Sequence, residues 1–248
     1  MAGATAFCVK SAYRTGCGYV KAYTPSKNVD AMLSLVPEAV LKPYPHDKFK
    51  KDEKEAYKKE IHSAKALVLG PGLGNSKTAT ELVKIALLEK EPEQRVLIDA
   101  DGLRVMAREG ISELPAKCVV TPHMGEMAAL TGLTVKELLA DPVKAAREYA
   151  DKTGAVRLLK GARTAVSDGR RVYINTSGCE AMATAGSGDV LSGIIGALLA
   201  EGMEPFEAAC LGAFIHGLCG EICAQKYGNR PVMAGDLTEA LCDVLKNY

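Results

Sequence analysis

Residues 182–193 read Met182-Ala183-Thr184-Ala185-Gly186-Ser187-Gly188-Asp189-Val190-Leu191-Ser192-Gly193, a run of small residues that passes directly into an apolar segment. Small side chains leave the backbone open to a ligand, and glycines permit left-handed torsions that point successive N–H groups into one hollow. The apolar helix that follows aims its positive N-terminal end at the same place. The segment therefore predicts a cradle for an anion such as a phosphate. A glycine turn without a ligand is the alternative.

Asp189 is the residue of this turn that a simple anion cradle does not need. A carboxylate repels a neighbouring phosphate unless it has a chemical role, such as accepting a proton from an attacking hydroxyl or helping to hold a metal. The turn is not a Walker A loop, because no Lys-Ser/Thr pair follows its last glycine. A nucleotide-dependent enzyme and a nucleotide-binding module without catalysis both remain open from these residues.

Short apolar runs alternate with helical segments along the chain, which predicts an α/β fold with a doubly wound, mostly parallel sheet and helices on both faces. The predicted strands are 19–24, 39–41, 66–69, 95–98, 117–120, 155–159, 162–167 and 172–175. The main predicted helices are 2–15, 50–63, 77–89, 142–153, 189–201, 205–226 and 235–246. The pair Asp168-Gly169 is a hairpin signal and predicts an antiparallel edge. Residues 1–248 are expected to form one domain.

Composition limits the classes of protein that fit. With 248 residues, 48% of them hydrophobic, the chain can bury a sizeable core. The 31 basic and 30 acidic residues balance, which argues against a dedicated nucleic-acid binder. We find neither a secretory signal nor an uncharged apolar run of membrane-spanning length, so no membrane segment is expected. The eight cysteines form no C-x-x-C pair, which favours reduced thiols in a cytoplasmic enzyme over a zinc site.

Four loops follow predicted strands and carry glycines or polar side chains. They are Gly70-Pro71-Gly72-Leu73-Gly74, Asp99-Ala100-Asp101-Gly102, Thr121-Pro122-His123-Met124-Gly125-Glu126 and Leu159-Lys160-Gly161-Ala162-Arg163-Thr164. Ligands of open parallel sheets bind outside the carboxyl ends of the strands, so the loops together predict one site. Each also has a structural interpretation: a plain turn, Asp101 as a helix N-cap, or a solvated His123. His216 is predicted to be a packed helix histidine.

At these residues the sequence resembles the NAD(P)H-hydrate dehydratase family of the ribokinase-like superfamily. The matching motifs, in order and spacing, are Gly70-Pro71-Gly72-Leu73-Gly74, Asp99-Ala100-Asp101, Thr121-Pro122-His123-x-Gly125-Glu126, Lys160-Gly161 and Ala183-x-Ala185-Gly186-Ser187-Gly188-Asp189-Val190-Leu191. The resemblance covers essentially the whole chain. It implies a lyase of metabolite repair, which uses ADP or ATP with Mg²⁺ to phosphorylate the ring hydroxyl of NADHX or NADPHX. Loss of phosphate then restores NADH or NADPH.

The resemblance also implies roles for individual residues, with Asp189 as the base towards the ring hydroxyl. The positions expected at the substrate are Gly72, Gly74, His123, Met124, Gly125, Glu126, Met127, Ala128, Ala129 and Asp189. Those expected along the nucleotide are Lys160, Gly161, Ala162, Arg163, Thr164, Cys179, Glu180, Ala181, Met182, Ala183, Thr184, Ala185, Gly186, Ser187 and Gly188. No protein side chains are assigned to a metal.

Members of that family begin with a strand and a Gly-Ser turn ahead of the helix that starts here at Ala2. We therefore expect a sheet edge or a slot near the substrate site. Many bacterial members also carry an epimerase domain, which these residues do not contain. A homo-oligomer, specifically a tetramer, is expected because no insertion is long enough to close the site. The rival functions are a vitamin-precursor kinase of the same superfamily and a nucleotide sensor without catalysis.

Overall fold

The fold is built on two β-sheets in the computed structural model, which describes residues 1–45 and 49–246. Its strands are β1 (Lys21–Pro25), β2 (Val40–Tyr44), β3 (Ala66–Leu69), β4 (Arg95–Ile98), β5 (Cys118–Val120), β6 (Val156–Leu159), β7 (Ala165–Ser167) and β8 (Val172–Ile174). β1 pairs with β2 in parallel, and the other six form one sheet in chain order. β3 to β6 are parallel, whereas β7 pairs antiparallel with both β6 and β8. The predicted α/β class and the antiparallel hairpin edge are confirmed.

Helices cover both faces of the larger sheet. They are α1 (Ala2–Thr15), α2 (Val29–Leu35), α3 (Lys51–Ser63), α4 (Lys77–Glu89), α5 (Asp101–Glu109), α6 (Met124–Thr131), α7 (Val135–Ala140), α8 (Pro142–Thr153), α9 (Ser187–Ala200), α10 (Pro205–Tyr227) and α11 (Ala234–Leu245). Successive strand residues point to opposite faces, so each strand supplies two cores. Leu97 and Val119 pack with α9, α10 and α11, whereas Val96 and Ile98 pack with α3, α4 and α5.

Helix starts follow the capping residues that the sequence supplies. The Ser76 hydroxyl accepts the Ala79 N–H at 3.1 Å, and the Asp141 carboxylate accepts the Lys144 N–H at 2.9 Å. Pro142 occupies the first turn of α8, where a missing N–H costs nothing. These local signals explain why the predicted starts of α4 and α8 agree with the structure.

The structure also corrects the sequence interpretation in places. Helix α2 was not predicted, because its seven residues bury only Met32 and leave no periodic apolar pattern. Asp101 is the first helical residue of α5 and not its N-cap; Ala100 occupies the cap position with a left-handed φ of 47°. The strand predicted at 162–167 begins only at Ala165, because the preceding residues form the loop after β6.

Helix α10 is long and apolar enough, by length and composition alone, to cross a membrane. In the fold, 56% of that stretch is buried against the rest of the chain. It packs on α9 and α11 as a core helix. Length and composition are therefore weak evidence for a membrane span here.

A cleft of about 620 Å³ separates β1 from β3. The Lys21 ammonium, at the start of β1, bonds Glu60 and Ser63, which immediately precede β3. Both strands therefore start at the same end of the cleft and run parallel. Helices α1 and α4 line its two faces. The Thr24 hydroxyl in its wall is buried and has no hydrogen-bond partner among the described residues.

Candidate active site

The glycine turn at 185–189 starts helix α9 beside the carboxyl ends of β3 and β4. Gly186 has a φ of +92°, and a Cβ there would lie 2.9 Å from both Phe7 and Ala234, so a larger residue does not fit. None of the described side chains caps this helix. The Ser187 N–H donates to Thr184 O at 3.3 Å, so the amides that follow it in the first turn of α9 are the ones available to an anion.

Asp189 lies in the first turn of α9 and is half-buried. Burial, followed by the neighbouring Asp99 carboxylate, raises the pKa of Asp189 to about 6, while the Lys160 ammonium opposes the rise. A carboxylate with this pKa is ionised at neutral pH and still accepts a proton more readily than an ordinary aspartate. The position is thus suited to a general base.

Lys160 follows β6 and is placed by the strand ladder. Its backbone N–H donates to Pro122 O at 2.8 Å, which sets the residue beside His123 in a parallel bridge. Its ammonium lies 2.6 Å from Asp99 Oδ1 and 3.9 Å from Glu126 Oε2. One cation thereby joins the loops that follow β4, β5 and β6.

The carboxylate of Asp99 is the most deeply buried charge of this cluster, with 1% of the residue exposed. Its second oxygen accepts the Ser192 hydroxyl at 2.8 Å. Ser192 stands three residues after Asp189 on α9, so the two side chains share one face of the helix. That spacing is the signal by which the sequence could have indicated Ser192, which the interpretation above left without a role.

His123 and Glu126 form the cap of α6. The Gly125 and Glu126 amides donate to His123 Nδ1 at 3.0 and 3.3 Å, and the His123 amide donates to Glu126 Oε2 at 2.9 Å. The His123 side chain remains 55% exposed, whereas Glu126 is buried. Glu126 therefore stabilises the first turn of the helix, and the His123 ring is half open to a ligand.

The glycine loop after β3 is held from two sides. The Met1 amino group donates to Gly72 O at 2.5 Å, and a Cβ on Gly72 would lie 2.2 Å from Met1 O. The Gly74 amide donates to Asp101 Oδ2 at 2.7 Å. Asp101 thus orders this loop, and it also pairs with Arg104 at 3.3 Å.

The positions expected along the nucleotide lie in two segments of the chain. Gly161, Ala162 and Arg163 are exposed in the loop after β6, and Thr164 O accepts the Asn175 backbone amide at 2.9 Å. In the second segment, residues 179–185 include a short 3-10 turn, Glu180–Met182, and then lead into α9. Exposed members of this second segment are Glu180, Ala183 and Ala185.

Two of the positions expected at the ligands have buried side chains. Met127 is fully buried in a cluster with Leu138, Ala146 and Leu159, because the second turn of α6 faces the core. Ala181 is 4% exposed and packs in the core below α9. Met124 differs, since its Sδ-methyl end lies 3.6 Å from the position a Gly161 Cβ would take. It lies close to the loop after β6.

Across residues 1–45 and 49–246, no three Asp, Glu, His or Cys side chains converge as metal ligands. The Asp99 and Glu126 carboxylates already face the Lys160 ammonium. Magnesium often binds through substrate phosphates with few protein ligands, so the nucleotide would have to bring it.

A parallel sheet, a helix that opens on a glycine turn, and a half-buried aspartate within it define a ribokinase-like α/β protein, a class that its structural neighbours share. The sequence profile of the NAD(P)H-hydrate dehydratase family matches residues 1–243, and the chain belongs to this family.

Individual relatives support the assignment. The chain is 37% identical to the bifunctional NAD(P)H-hydrate repair enzyme Nnr of Moorella thermoacetica over 261 residues, which covers 100% of this chain and 47% of that protein. It is 35% identical to the ADP-dependent (S)-NAD(P)H-hydrate dehydratase of Neisseria meningitidis, with 97% and 79% covered. The chain spans about half the length of the bifunctional relatives.

Among solved structures, the chain is similar to the ADP/ATP-dependent NAD(P)H-hydrate dehydratase of Bacillus subtilis co-crystallised with ATP/Mg²⁺. The TM-score is 0.84 at 26% identity, and the alignment covers 100% of this chain and 85% of that one.

Proposed function

We propose that this protein repairs hydrated nicotinamide cofactors, converting (6S)-NADHX or (6S)-NADPHX to NADH or NADPH at the expense of ADP or ATP. The observation that carries the proposal is the meeting of Asp189, Lys160 and the amides of the glycine turn at the ends of neighbouring strands. A base, a cation and a set of N–H donors are the groups that phosphoryl transfer to a hydroxyl needs. Family membership supplies the substrate class.

The chemistry divides between these groups. Asp189 takes the proton of the ring hydroxyl as its oxygen attacks the terminal phosphorus of the nucleotide, and the bond to the leaving phosphate oxygen breaks. The amides of Gly186 to Gly188 and the Lys160 ammonium stabilise the charge of the transferring group. The ring carbon–oxygen bond then breaks, phosphate leaves with the electron pair, and loss of a proton from the adjacent ring carbon restores the double bond. Magnesium brought with the nucleotide would offset phosphate charge.

Placement of the two ligands follows the two segments and the strand-end loops described above. We propose that the nucleotide lies along Lys160 to Thr164 and Cys179 to Gly188, and that the hydrate faces Gly72, Gly74 and the His123 to Ala129 segment. In this arrangement the exposed residues of each loop make the contacts. Met127 and Ala181 contribute only backbone atoms, because their side chains are buried.

The decisive assay incubates the purified chain with NADHX, Mg²⁺ and either ADP or ATP, and follows recovery of reduced-nicotinamide absorbance. Recovery with one nucleotide and no recovery without it supports the proposal. No recovery with either nucleotide refutes it. Mass spectrometry of the same mixtures separates the rivals: a kinase leaves a stable phosphate ester of an alcohol, and a sensor binds nucleotide without turning over any alcohol or hydrate. Family membership favours neither rival.

The cleft between β1 and β3 leads to a proposal about the domain itself. Two parallel, unpaired strand edges face one cleft, and four residues of strand occupy roughly 600 Å³ at ordinary sheet spacings, close to the 620 Å³ present. We propose that the domain is completed by one more strand in this cleft, which would join both sheets. Met1 lies at the Gly72 end of the cleft, so a segment fused ahead of it can enter there.

A matched pair of fusions tests this idea. An N-terminal extension of apolar, β-branched residues is expected to raise the melting temperature, because it pairs with both edges. A Gly/Ser extension of the same length has little strand propensity and is expected to leave it unchanged. Equal melting temperatures for the two fusions would contradict the proposal.

We further propose a homotetramer in the cytoplasm. Strand β8 is a sheet edge, and its Val172 and Ile174 are 38% and 42% exposed; Phe214 of α10 is also 38% exposed. A second copy would cover this apolar surface and pair with the edge. All eight cysteines are free, which suits a reducing compartment. Light scattering should give four times the chain mass, and Ile174→Lys should lower the mass measured. A monomeric wild type rejects the assembly.

A further inference from the structure

Asp99 is a buried carboxylate whose two oxygens are both used. Oδ1 lies 2.6 Å from the Lys160 ammonium, and Oδ2 accepts the Ser192 hydroxyl at 2.8 Å. With 1% of the residue exposed, this group has no room for a ligand of its own. A buried charge is costly unless it is paired, and here the pairing links the end of β4 to both α9 and the loop after β6.

The Lys160 ammonium lies directly against the glycine turn. A Cβ built on Gly188 would be 3.4 Å from Lys160 Nζ and 3.8 Å from Asp99 Oδ2. Because Gly188 has no side chain, no group from that residue separates the ammonium from the amides at the start of α9. A lysine is a flexible point charge, so something must hold it in this place. Asp99 at 2.6 Å is the close partner, and Glu126 at 3.9 Å is the distant one.

We propose that Asp99 is a positioning residue, fixed by Ser192, that holds the Lys160 ammonium beneath the glycine turn and sets the charge around Asp189. The inference rests on the proposed function, because it assigns Asp99 a part in the same phosphoryl transfer. Asp99 acts through Lys160 and Asp189 and contacts neither nucleotide nor hydrate. A lysine held in one place by a buried partner loses little further freedom when phosphate binds.

The charges that face Asp189 come from several elements. They are Asp99 after β4, Asp101 of α5, Lys160 after β6 and the Met1 amino group ahead of α1. The Cys8 thiol of α1 also faces Asp189, and burial raises its pKa, so it is uncharged. Asp99 and Asp101 raise the pKa of Asp189, whereas Lys160 and the amino group lower it. His216 of α10 is neutral at working pH, since burial lowers its pKa to about 4.

The opposite directions in which Asp99 and Lys160 shift the pKa of Asp189 distinguish a positioning role from a purely structural ion pair. If the pair only stabilises the fold, removing either partner lowers stability and leaves the pH profile of catalysis in place. If Asp99 and Lys160 set the charge around Asp189, removing them moves the acidic limb of kcat/KM in opposite directions. Removing the carboxylate moves it to lower pH, and removing the ammonium moves it to higher pH.

The experiment compares Asp99→Asn, Lys160→Gln and Lys160→Arg with wild type in the hydrate-recovery assay across the acid range. The acidic limbs of Asp99→Asn and Lys160→Gln are each expected to shift by on the order of one pH unit. Lys160→Gln should also lower kcat by on the order of 100-fold, the scale of losing one charge-stabilising donor. Lys160→Arg keeps the charge and is expected to retain the wild-type limb. Lys84→Gln, which breaks an exposed pair with Glu109, is the matched control and should change neither quantity.

Two results overturn the inference. One is an acidic limb of kcat/KM that, in Lys160→Gln, stays at the wild-type pH or moves to lower pH. The other is an acidic limb of kcat/KM that moves to higher pH in Asp99→Asn, in the same direction as in Lys160→Gln. If Asp99→Asn does not fold, the Lys160→Gln and Lys160→Arg pair decides alone. Wild type that recovers no NADH with either nucleotide is a different failure, since it refutes the proposed function. Calorimetry with ADP then still tests the positioning, because Lys160→Gln should weaken ADP binding and Lys84→Gln should not.

Discussion

The buried ring of His216 shares a hydrogen bond of 3.2 Å with the Ser187 hydroxyl, which joins α10 to the start of the glycine turn. Both residues are 8% exposed. Burial, followed by the nearby Lys160 charge, lowers the pKa of His216 to about 4, so the ring is neutral at working pH. Sequence reasoning expected a packed helix histidine at this position. The structure adds that its partner belongs to the candidate site.

This contact predicts a pH-dependent contribution to stability. Unfolded chains take up a proton on this histidine below about pH 6.5, whereas the folded chain resists until about pH 4. Its contribution is therefore present above pH 6.5 and is lost as the pH falls towards 4. Urea denaturation of wild type and His216→Phe at neutral and mildly acidic pH measures it. Wild type should lose more stability on acidification than the variant, and equal losses would argue against a buried neutral ring.

Asp189→Asn is expected to fold and bind nucleotide while losing turnover. Asparagine has nearly the same shape but cannot accept the proton of the hydroxyl, and general-base catalysis typically contributes about 10²–10⁴-fold. Steady-state kinetics and ADP calorimetry on the same preparation measure both properties. Retention of the wild-type rate would remove Asp189 from the mechanism. A loss of nucleotide binding would instead give it a structural role.

The pH dependence of the wild-type rate follows from the same carboxylate. Asp189 must be ionised to act as a base, and its pKa is raised to about 6, so kcat/KM is expected to climb through about pH 6. Its effect on stability has the opposite sign. Between the ordinary value of 3.8 and about 6, the folded chain holds a proton that the unfolded chain has released, so this contribution falls as pH rises. A rate that is flat across this window contradicts the assignment.

Gly188→Ala is expected to fold normally and to weaken nucleotide binding. The added methyl finds ordinary contact distances, 3.4 Å to Lys160 Nζ and 3.8 Å to Asp99 Oδ2, but it stands in front of the ammonium. A loss of affinity on the order of tenfold, about 1.4 kcal/mol, is expected by ADP calorimetry. Gly235→Ala in α11 meets no atom within 4 Å and serves as the control. Equal affinities in the two variants would show that the turn does not hold phosphate.

Arg157→Met is expected to stabilise the protein. The Arg157 side chain on β6 is fully buried, and its guanidinium has no hydrogen-bond partner among the described residues. It stacks on the Tyr149 ring at 3.6 Å, and burial lowers its pKa to about 9. An unpaired buried charge is costly, and replacing buried ionic groups with well-packed apolar ones can stabilise a protein by about 1–4 kcal/mol. Urea denaturation should show the gain, whereas Arg14→Met at an exposed pair should shift stability by less than about 0.5 kcal/mol.

Much of the fold could be predicted from local patterns. Strands β3 and β4 and helices α1, α3 and α4 appear where apolar periodicity and capping residues place them, because those signals act within a few residues. Helix α2 escaped prediction because it is short and mostly exposed. The division into two sheets could not be predicted from local patterns either, since it depends on which strands pair in the folded chain.

The candidate site divides in the same way. The glycine turn and its aspartate are readable in the sequence, because glycines at the start of an apolar helix have few structural explanations. The partners of Asp99 are not readable, since Lys160 lies 61 residues away and Ser192 lies 93 residues away. A motif match does not tell whether a side chain is exposed, and Met127 on α6 is buried. Which face of a helix packs against the core is set by the tertiary structure.

The sequence by itself determined the α/β class, the family and the presence of an anion-binding turn with a carboxylate, because these rest on composition, short-range spacing and motif order. Only the tertiary structure decided the environment of that carboxylate. Its partial burial at the start of α9 and the charges of Asp99 and Lys160 are brought together by the parallel sheet, and they act through distances of a few ångströms. Distances of that kind do not exist until the strand ends align, which is why the chemistry of the site emerges only from the folded chain.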